Sequence, residues 1–192
     1  MEVLQAIQSR RSIRRFKPDP LSRESIEAIL DAGRLAPSGK NRQPWRFVVV
    51  QNGEREQMHA CLQAGLKASI ANGIQTGSVE NTFRIMREAP ATVFIFDPDD
   101  TAVWKERTLL ERVFGIVNVQ SVGAAIENML LRAQEMGVGS LWICDTFSAY
   151  RELCEWLGRD SLLVAAVSLG YPDEQPAARP RLPLGDLVEW RG

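Results

Sequence analysis

Apolar and polar positions alternate along the chain in two periods, one of about 3.6 residues and one of runs, and the switch between them predicts the elements. Val3 to Ser9 carries Val3, Leu4 and Ile7 at helical spacing. Ser22 suits the N-cap of a helix through Ile26, Ile29 and Leu30 that ends near Gly33. Arg46 to Gln51 holds the run Phe47-Val48-Val49-Val50, the pattern of a buried strand. Thr92 to Phe96 reads the same way, and Asp97-Pro98-Asp99-Asp100 should end it with turn chemistry.

Between those strands, Glu54 to Ala71 and Asn81 to Glu88 read as helices around a glycine-bearing break at Gly73 to Gly77. The longest helix is expected from about Val117 to Met136, closed by Gly137. It is apolar around much of its circumference, so it should be buried centrally or against a second subunit. Leu141 to Ile143 and Leu163 to Leu169 complete the strands, with a helix near Tyr150 to Leu157 between them. The segment after Gly170, rich in Pro and Arg, should form no compact element. The pattern predicts one α+β domain over residues 1–192, a central mixed β-sheet with helices on both faces.

Composition narrows the chemistry. A chain of 192 residues with 45% hydrophobic and 24% charged residues is globular and large enough to bury a core without staples. No uninterrupted apolar run approaches the ~20 residues of a membrane span. The start, Met1-Glu2-Val3-Leu4-Gln5, lacks the basic and apolar regions of a signal peptide, so a cytoplasmic protein is expected. Cys61, Cys144 and Cys154 are odd in number and show no CxxC spacing, which argues against a disulfide framework or a zinc site. His59 is the only histidine and falls in a helical stretch, a poor start for a nucleophilic triad. The reactive group should therefore come from a cofactor. Basic and acidic residues number 23 and 24, so overall charge gives no reason to expect nucleic acid or an acidic membrane as partner.

Three stretches are poorly explained by packing. Arg10-Arg11-Ser12-Ile13-Arg14-Arg15-Phe16 offers clustered charge-assisted donors and a hydroxyl, suited to a phosphate monoester or else to a solvated basic face. Ala36-Pro37-Ser38-Gly39-Lys40-Asn41-Arg42-Gln43-Pro44-Trp45 is dense in amide and hydroxyl donors between prolines; it suits a polar heterocycle, or a turn anchored by Trp45. Gly137-Val138-Gly139-Ser140-Leu141-Trp142-Ile143-Cys144-Asp145 is a tight turn into a strand, whose glycines allow close approach or cap a helix.

Together, and with Arg179-Pro180-Arg181-Leu182-Pro183-Leu184 near the end, these stretches resemble the nitroreductase-like family of FMN enzymes from Arg10 to Pro183, in the same order. The resemblance implies an intertwined homodimer and an NAD(P)H-dependent oxidoreductase. In it, Arg10, Arg11, Ser12, Arg179 and Arg181 hold the FMN phosphate and ribityl chain, and Arg14 approaches N1 and O2 of the flavin. Pro37, Ser38, Asn41 and Gln43 reach the flavin of the other subunit. Trp142, Ile143, Cys144 and Asp145 pass beside N5 and O4, mainly through backbone. NADH or NADPH is the transient co-substrate, and a nitroaromatic, quinone or similar small molecule is the acceptor in a ping-pong reaction without a catalytic side chain.

The family's Asn-x-x-Lys pair has only loose counterparts near Arg84 and Arg87. Phe83, Met86, Trp104 and Phe114 are candidates either for a lid over the flavin or for packing. Relatives on the same scaffold also dehalogenate reductively, oxidise azolines or cleave their own FMN. A non-enzymatic anion- or nucleic-acid-binding module built on the arginine cluster is the remaining alternative.

Overall fold

The computed structural model describes residues 1–74 and 76–192; Gln75, inside the expected glycine-bearing break, lies outside the described residues. Among the described residues, six α-helices and four strands follow one another as α1 (Val3–Ser9), α2 (Arg23–Arg34), β1 (Arg46–Gln51), α3 (Glu54–Ala71), α4 (Val79–Glu88), β2 (Ala91–Thr101), α5 (Leu109–Glu135), β3 (Gly139–Ile143), α6 (Tyr150–Trp156) and β4 (Ser161–Gly170).

The strands form one sheet in the order β1-β2-β4-β3, every neighbouring pair antiparallel. The parallel component expected of a mixed sheet is confined, within one chain, to a single bridge between Ser12 and Ser140 at the β3 edge. Both faces are covered. Phe94 and Phe96 of β2 pack with Met58, Leu62 and Leu153 from α3 and α6. Val93 and Ile95 face the other way, onto Ile29 of α2 and Val122, Ile126 and Met129 of α5. The period of two along a strand sends alternate residues into two separate cores, which is why these strands read as unbroken apolar runs.

Two sequence expectations need correction. Strand β2 does not end at Phe96: it continues to Thr101 through register shifts between Ile95 and Phe96 and between Asp97 and Thr101. The Asp97–Asp100 stretch supplies turn-like bonds after all, Asp99 N–H to Asp97 Oδ1 and Thr101 N–H to Asp100 Oδ1, but they stabilise a bulge inside the strand. Helix α5 begins eight residues earlier than expected, at Leu109, where Thr108 and Glu111 form a reciprocal capping box. It closes as expected at Gly137, in left-handed backbone (φ 71°), with Val138 N–H donating to Ala133 O at 2.8 Å.

At 27 residues α5 is the one helix among the described residues long and apolar enough, by length and composition, to cross a membrane. It shows no uninterrupted apolar run in the sequence, because polar residues such as Asn118 and Ser121 interrupt it. In the fold this helix packs on α2 and across the sheet, burying Asn118 and Ser121 on that side. Its first four turns leave Leu109, Leu110, Val113, Ile116 and Val119 exposed.

Candidate active site

The two ends of the chain are brought together by a short antiparallel pairing. Phe16 bridges Pro172, Lys17 N–H donates to Tyr171 O at 2.8 Å, and Asp173 N–H donates to Arg15 O at 3.0 Å. Glu174 locks this junction: one oxygen accepts the Arg14 amide at 2.5 Å, and the other lies 3.5 Å from Arg15 Nε. Running backward from Phe16 and forward from Pro172, the chain then places Arg10, Arg11, Ser12 and Arg14 around the same cavity as Arg179 and Arg181. Glu174 carries no signal in its local sequence, since its role depends on a contact 160 residues away.

This cavity, of about 470 Å³, is lined by five arginines, Ser12, Ile7, Gln8 and the Pro176–Ala178 stretch, with no acidic residue on its wall among the described residues. Like charges gathered with a carboxylate, Glu127, at their margin repel one another, so an anion bound between them stabilises the arrangement. Some guanidinium donors are already committed. Arg11 Nη1 donates to Gln8 O and Arg10 O, Arg14 Nη1 to Ser12 O, and Arg10 Nε stands 3.8 Å from Glu127 on α5. These contacts fix the side chains without neutralising the group.

Ser12 also ties the cradle to the sheet edge through its bridge to Ser140, with Ile13 N–H donating to Ser140 O at 3.0 Å. Strand β3 therefore leads from the arginine cradle to the turn at Ile143–Asp145. Trp142 is exposed and its ring end lies 3.6 Å from where a Cβ on Gly123 of α5 would stand. Cys144 is exposed as well; partial desolvation of its thiol, then the charge of Asp145, push the thiol pKa up, away from thiolate character. Asp145 is half-buried, and its Oδ2 accepts hydrogen bonds from Ser78 Oγ (3.1 Å) and Thr82 Oγ1 (2.9 Å) at the start of α4.

The Pro37–Gln43 loop does not join this cluster within one chain. None of Pro37, Ser38, Asn41 or Gln43 lines the arginine cavity. The loop is fastened instead to α5: Gly39 N–H donates to Ser121 Oγ at 3.3 Å, and a Cβ on Gly39 would meet Val117 Cγ1 at 2.6 Å. Ser38 Oγ accepts the Gln43 amide, while Lys40, Asn41 and Gln43 all hold left-handed backbone (φ 53°). Such strain in residues other than glycine concentrates at functional sites. Asn41 and Gln43 are exposed and present their side chains away from the chain's own core.

The aromatic candidates separate cleanly. Phe83 and Met86 are buried in the core beneath α4, so they are packing residues. Trp104 sits edge-on to Tyr150 with Arg151 over its face, and Phe114 lies under the Arg42 guanidinium at 4.8 Å. Arg84 is engaged by Asn81 and Glu88, and both Arg84 and Arg87 line a cavity with His59 between α3 and α4, apart from the arginine cradle.

An α+β sandwich with a basic cradle at one sheet edge and a strained donor loop on its longest helix defines a class of anionic-cofactor enzymes. The chain belongs to the nitroreductase family, whose model matches residues 7–171. It is 31% identical over 91% of its length, and 87% of the relative's, to an Archaeoglobus fulgidus protein assigned as an NADH dehydrogenase/NAD(P)H nitroreductase. It is 30% identical to the NADPH-flavin oxidoreductase of Vibrio harveyi, over 97% of this chain and 72% of that one. Among solved structures, a Desulfovibrio desulfuricans protein assigned as a nitroreductase and solved in complex with FMN matches with TM-score 0.76 and 28% identity, covering 100% of this chain and 98% of that one.

Proposed function

We propose that this protein is an FMN-dependent oxidoreductase that takes hydride equivalents from NADH or NADPH and passes them to a small oxidised acceptor, a nitroaromatic, quinone or similar molecule. The observation that carries the reading is the cavity lined by five arginines and Ser12 with no acidic wall residue, in a member of this family. Its donor set fits a phosphate dianion, for which several guanidinium groups share the desolvation cost. Bound there, FMN supplies the hydride-accepting and hydride-donating centre that the protein's own side chains lack.

Each residue then has a task. Arg10, Arg11, Ser12, Arg179 and Arg181 hold the phosphate end. Arg14, tied to Ser12 O, places positive charge toward the flavin's pyrimidine edge and favours electron uptake. The backbone of Trp142 to Asp145 flanks the reactive edge. Donor and acceptor would bind in turn beside the flavin, a ping-pong scheme.

The same reading extends to the assembly. From Ala177 onward every residue of the chain is exposed, including Leu182, Leu184, Leu187 and Trp190, and the first half of α5 exposes a second apolar stripe. Two such surfaces on one chain favour an intertwined homodimer. In that dimer Pro37, Ser38, Asn41 and Gln43 complete the partner's site. In this proposal the protein is cytoplasmic, and its balanced charge gives no reason to expect nucleic acid or an acidic membrane as partner.

An absorption spectrum of the purified protein followed by anaerobic addition of NADH or NADPH tests this. Flavin bands that bleach within seconds are expected. A protein that takes up no FMN overturns the reading, and bound flavin that neither nucleotide reduces leaves a different reaction on the same scaffold.

A further inference from the structure

Asp145 is held in a way that helix capping does not explain. It opens a 3-10 turn, Asp145–Ala149, directly after β3 and Cys144. One of its oxygens, Oδ2, takes two hydroxyl hydrogen bonds from α4, Thr82 Oγ1 at 2.9 Å and Ser78 Oγ at 3.1 Å, while among the described residues Oδ1 takes none. A capping carboxylate accepts backbone N–H groups; this one accepts only hydroxyls.

The turn that carries it is pinned from the far side too. Gly65 of α3 leaves no space beneath it, since a Cβ there would stand 2.3 Å from Ala149 Cα. Ser69 Oγ donates to Ser148 O at 3.0 Å. The side chain is therefore held by α4 and its backbone by α3, half-buried, with Oδ1 accepting no hydrogen bond among the described residues. A preorganised charge acts on its neighbours without needing to reorient, and that is the arrangement by which a site tunes a bound group.

Arg14 and Asp145 stand at the two ends of the same edge: Arg14 beside Ser12, whose bridge to Ser140 opens β3, and Asp145 just past where β3 closes. We propose that Asp145 sets the reduction potential of the bound flavin, its fixed negative charge at the reactive edge opposing the positive charge of Arg14 at the other. The inference rests on the flavin reading above. A reduced flavin carries negative charge, so a neighbouring carboxylate raises its energy and lowers its potential, and a neighbouring guanidinium does the reverse. Arg14 favours loading of electrons and Asp145 favours their release to the acceptor. Ser78 and Thr82 are positioning residues, keeping the carboxylate in place from the first turn of α4.

The experiment is a dye-equilibrated anaerobic reduction of the FMN-loaded protein, which reads the potential spectroscopically and not through turnover. Asp145→Asn should shift the potential to more positive values and Arg14→Gln to more negative ones. Asp145→Glu, which disturbs packing but keeps the charge, should stay near the parent; a purely structural role would move Glu and Asn alike. Asp145→Ser, smaller and neutral, stands in if the Asn variant does not fold and should shift in the same direction as Asn. FMN bound in full with a potential that the neutral variants leave unmoved overturns this inference alone. A parent protein that binds no FMN overturns the underlying reading and this one with it.

Discussion

Arg10 was conspicuous in the sequence as part of a basic cluster, but its local context could not separate an anion site from a solvated face. What separates them is Arg179 and Arg181 arriving from the other end of the chain, and a cavity wall free of acids. Arg10 also faces Glu127 at 3.8 Å, so its removal both deletes a donor and leaves that carboxylate uncompensated near the site. Arg10→Ala should weaken FMN binding by about 2 kcal/mol, roughly 30-fold in Kd, measured by fluorescence quenching on titration. Unchanged affinity would remove Arg10 from the phosphate site. Asp97 shows the opposite kind of legibility: it was read as turn chemistry, yet it is fully buried, bonded to Asn118 Nδ2 at 3.0 Å and to the Asp99 amide. Burial pushes its pKa up, with the amide and Asn118 bonds pulling back and the charges of Asp99 and Asp100 adding to the rise. A carboxyl whose folded pKa exceeds its unfolded value takes up a proton on folding, so its contribution is full below the unfolded pKa and is lost as pH rises through the folded one. Asp97→Asn, with the Asn118 amide turned over to accept, should therefore flatten the pH dependence of stability in the weakly acidic range. Its thermal midpoint at neutral pH should equal or exceed the parent's; a lower midpoint there would mean that the charge itself stabilises the bulge.

The elements themselves were written in the hydrophobic pattern wherever packing is two-sided and local. Strand β1 and helices α1 and α3 have the bounds their periodicity predicts, and Ser22 caps α2 by accepting the Ser25 amide. The failures share one cause. The start of α5 carries its apolar residues outward, so the pattern places the helix start only near Val117, although the Thr108 and Glu111 capping pair is present in the sequence. Strand β2 was cut short because the Asp-rich stretch signals a turn equally well inside a bulge. Close packing between elements left no signal at all. Gly65 in α3 lies against the turn that presents Asp145, and a methyl group there would overlap both Ala149 and Ser148 O. Gly65→Ala gains up to ~1 kcal/mol in helix propensity but incurs about 1–3 kcal/mol of overpacking. A net drop of a few degrees in thermal midpoint is expected. The larger effect should be on the rate of flavin reduction in stopped flow, because the displaced segment is the one proposed above to flank the reactive edge. Loss of stability with an unaltered reduction rate would show that the turn is not coupled to the site.

At the scale of the whole molecule, what the sequence offered was order: basic cluster, donor loop, long helix, glycine turn, arginine tail. It did not show that residues 15–17 pair with 171–173, because such contacts depend on the complete fold. That pairing gives the tail two separable duties. Up to Glu174 it locks the arginine cradle from within its own chain; beyond Ala177 it is fully exposed and carries both the cradle's last two arginines and a set of unpartnered apolar side chains. Removing residues 175–192 should therefore abolish FMN binding and, by stripping the apolar arm, weaken the dimer proposed above, seen as a shift toward monomer in light scattering after size exclusion. The full-length double variant Arg179→Ala/Arg181→Ala should lose flavin affinity to a similar degree but remain dimeric, since its arm is intact. A truncated chain that still elutes as a dimer would place the interface on α5 alone. A double variant that falls apart would mean that cofactor and assembly are coupled through the arginines themselves, with the phosphate serving as part of the joint between subunits.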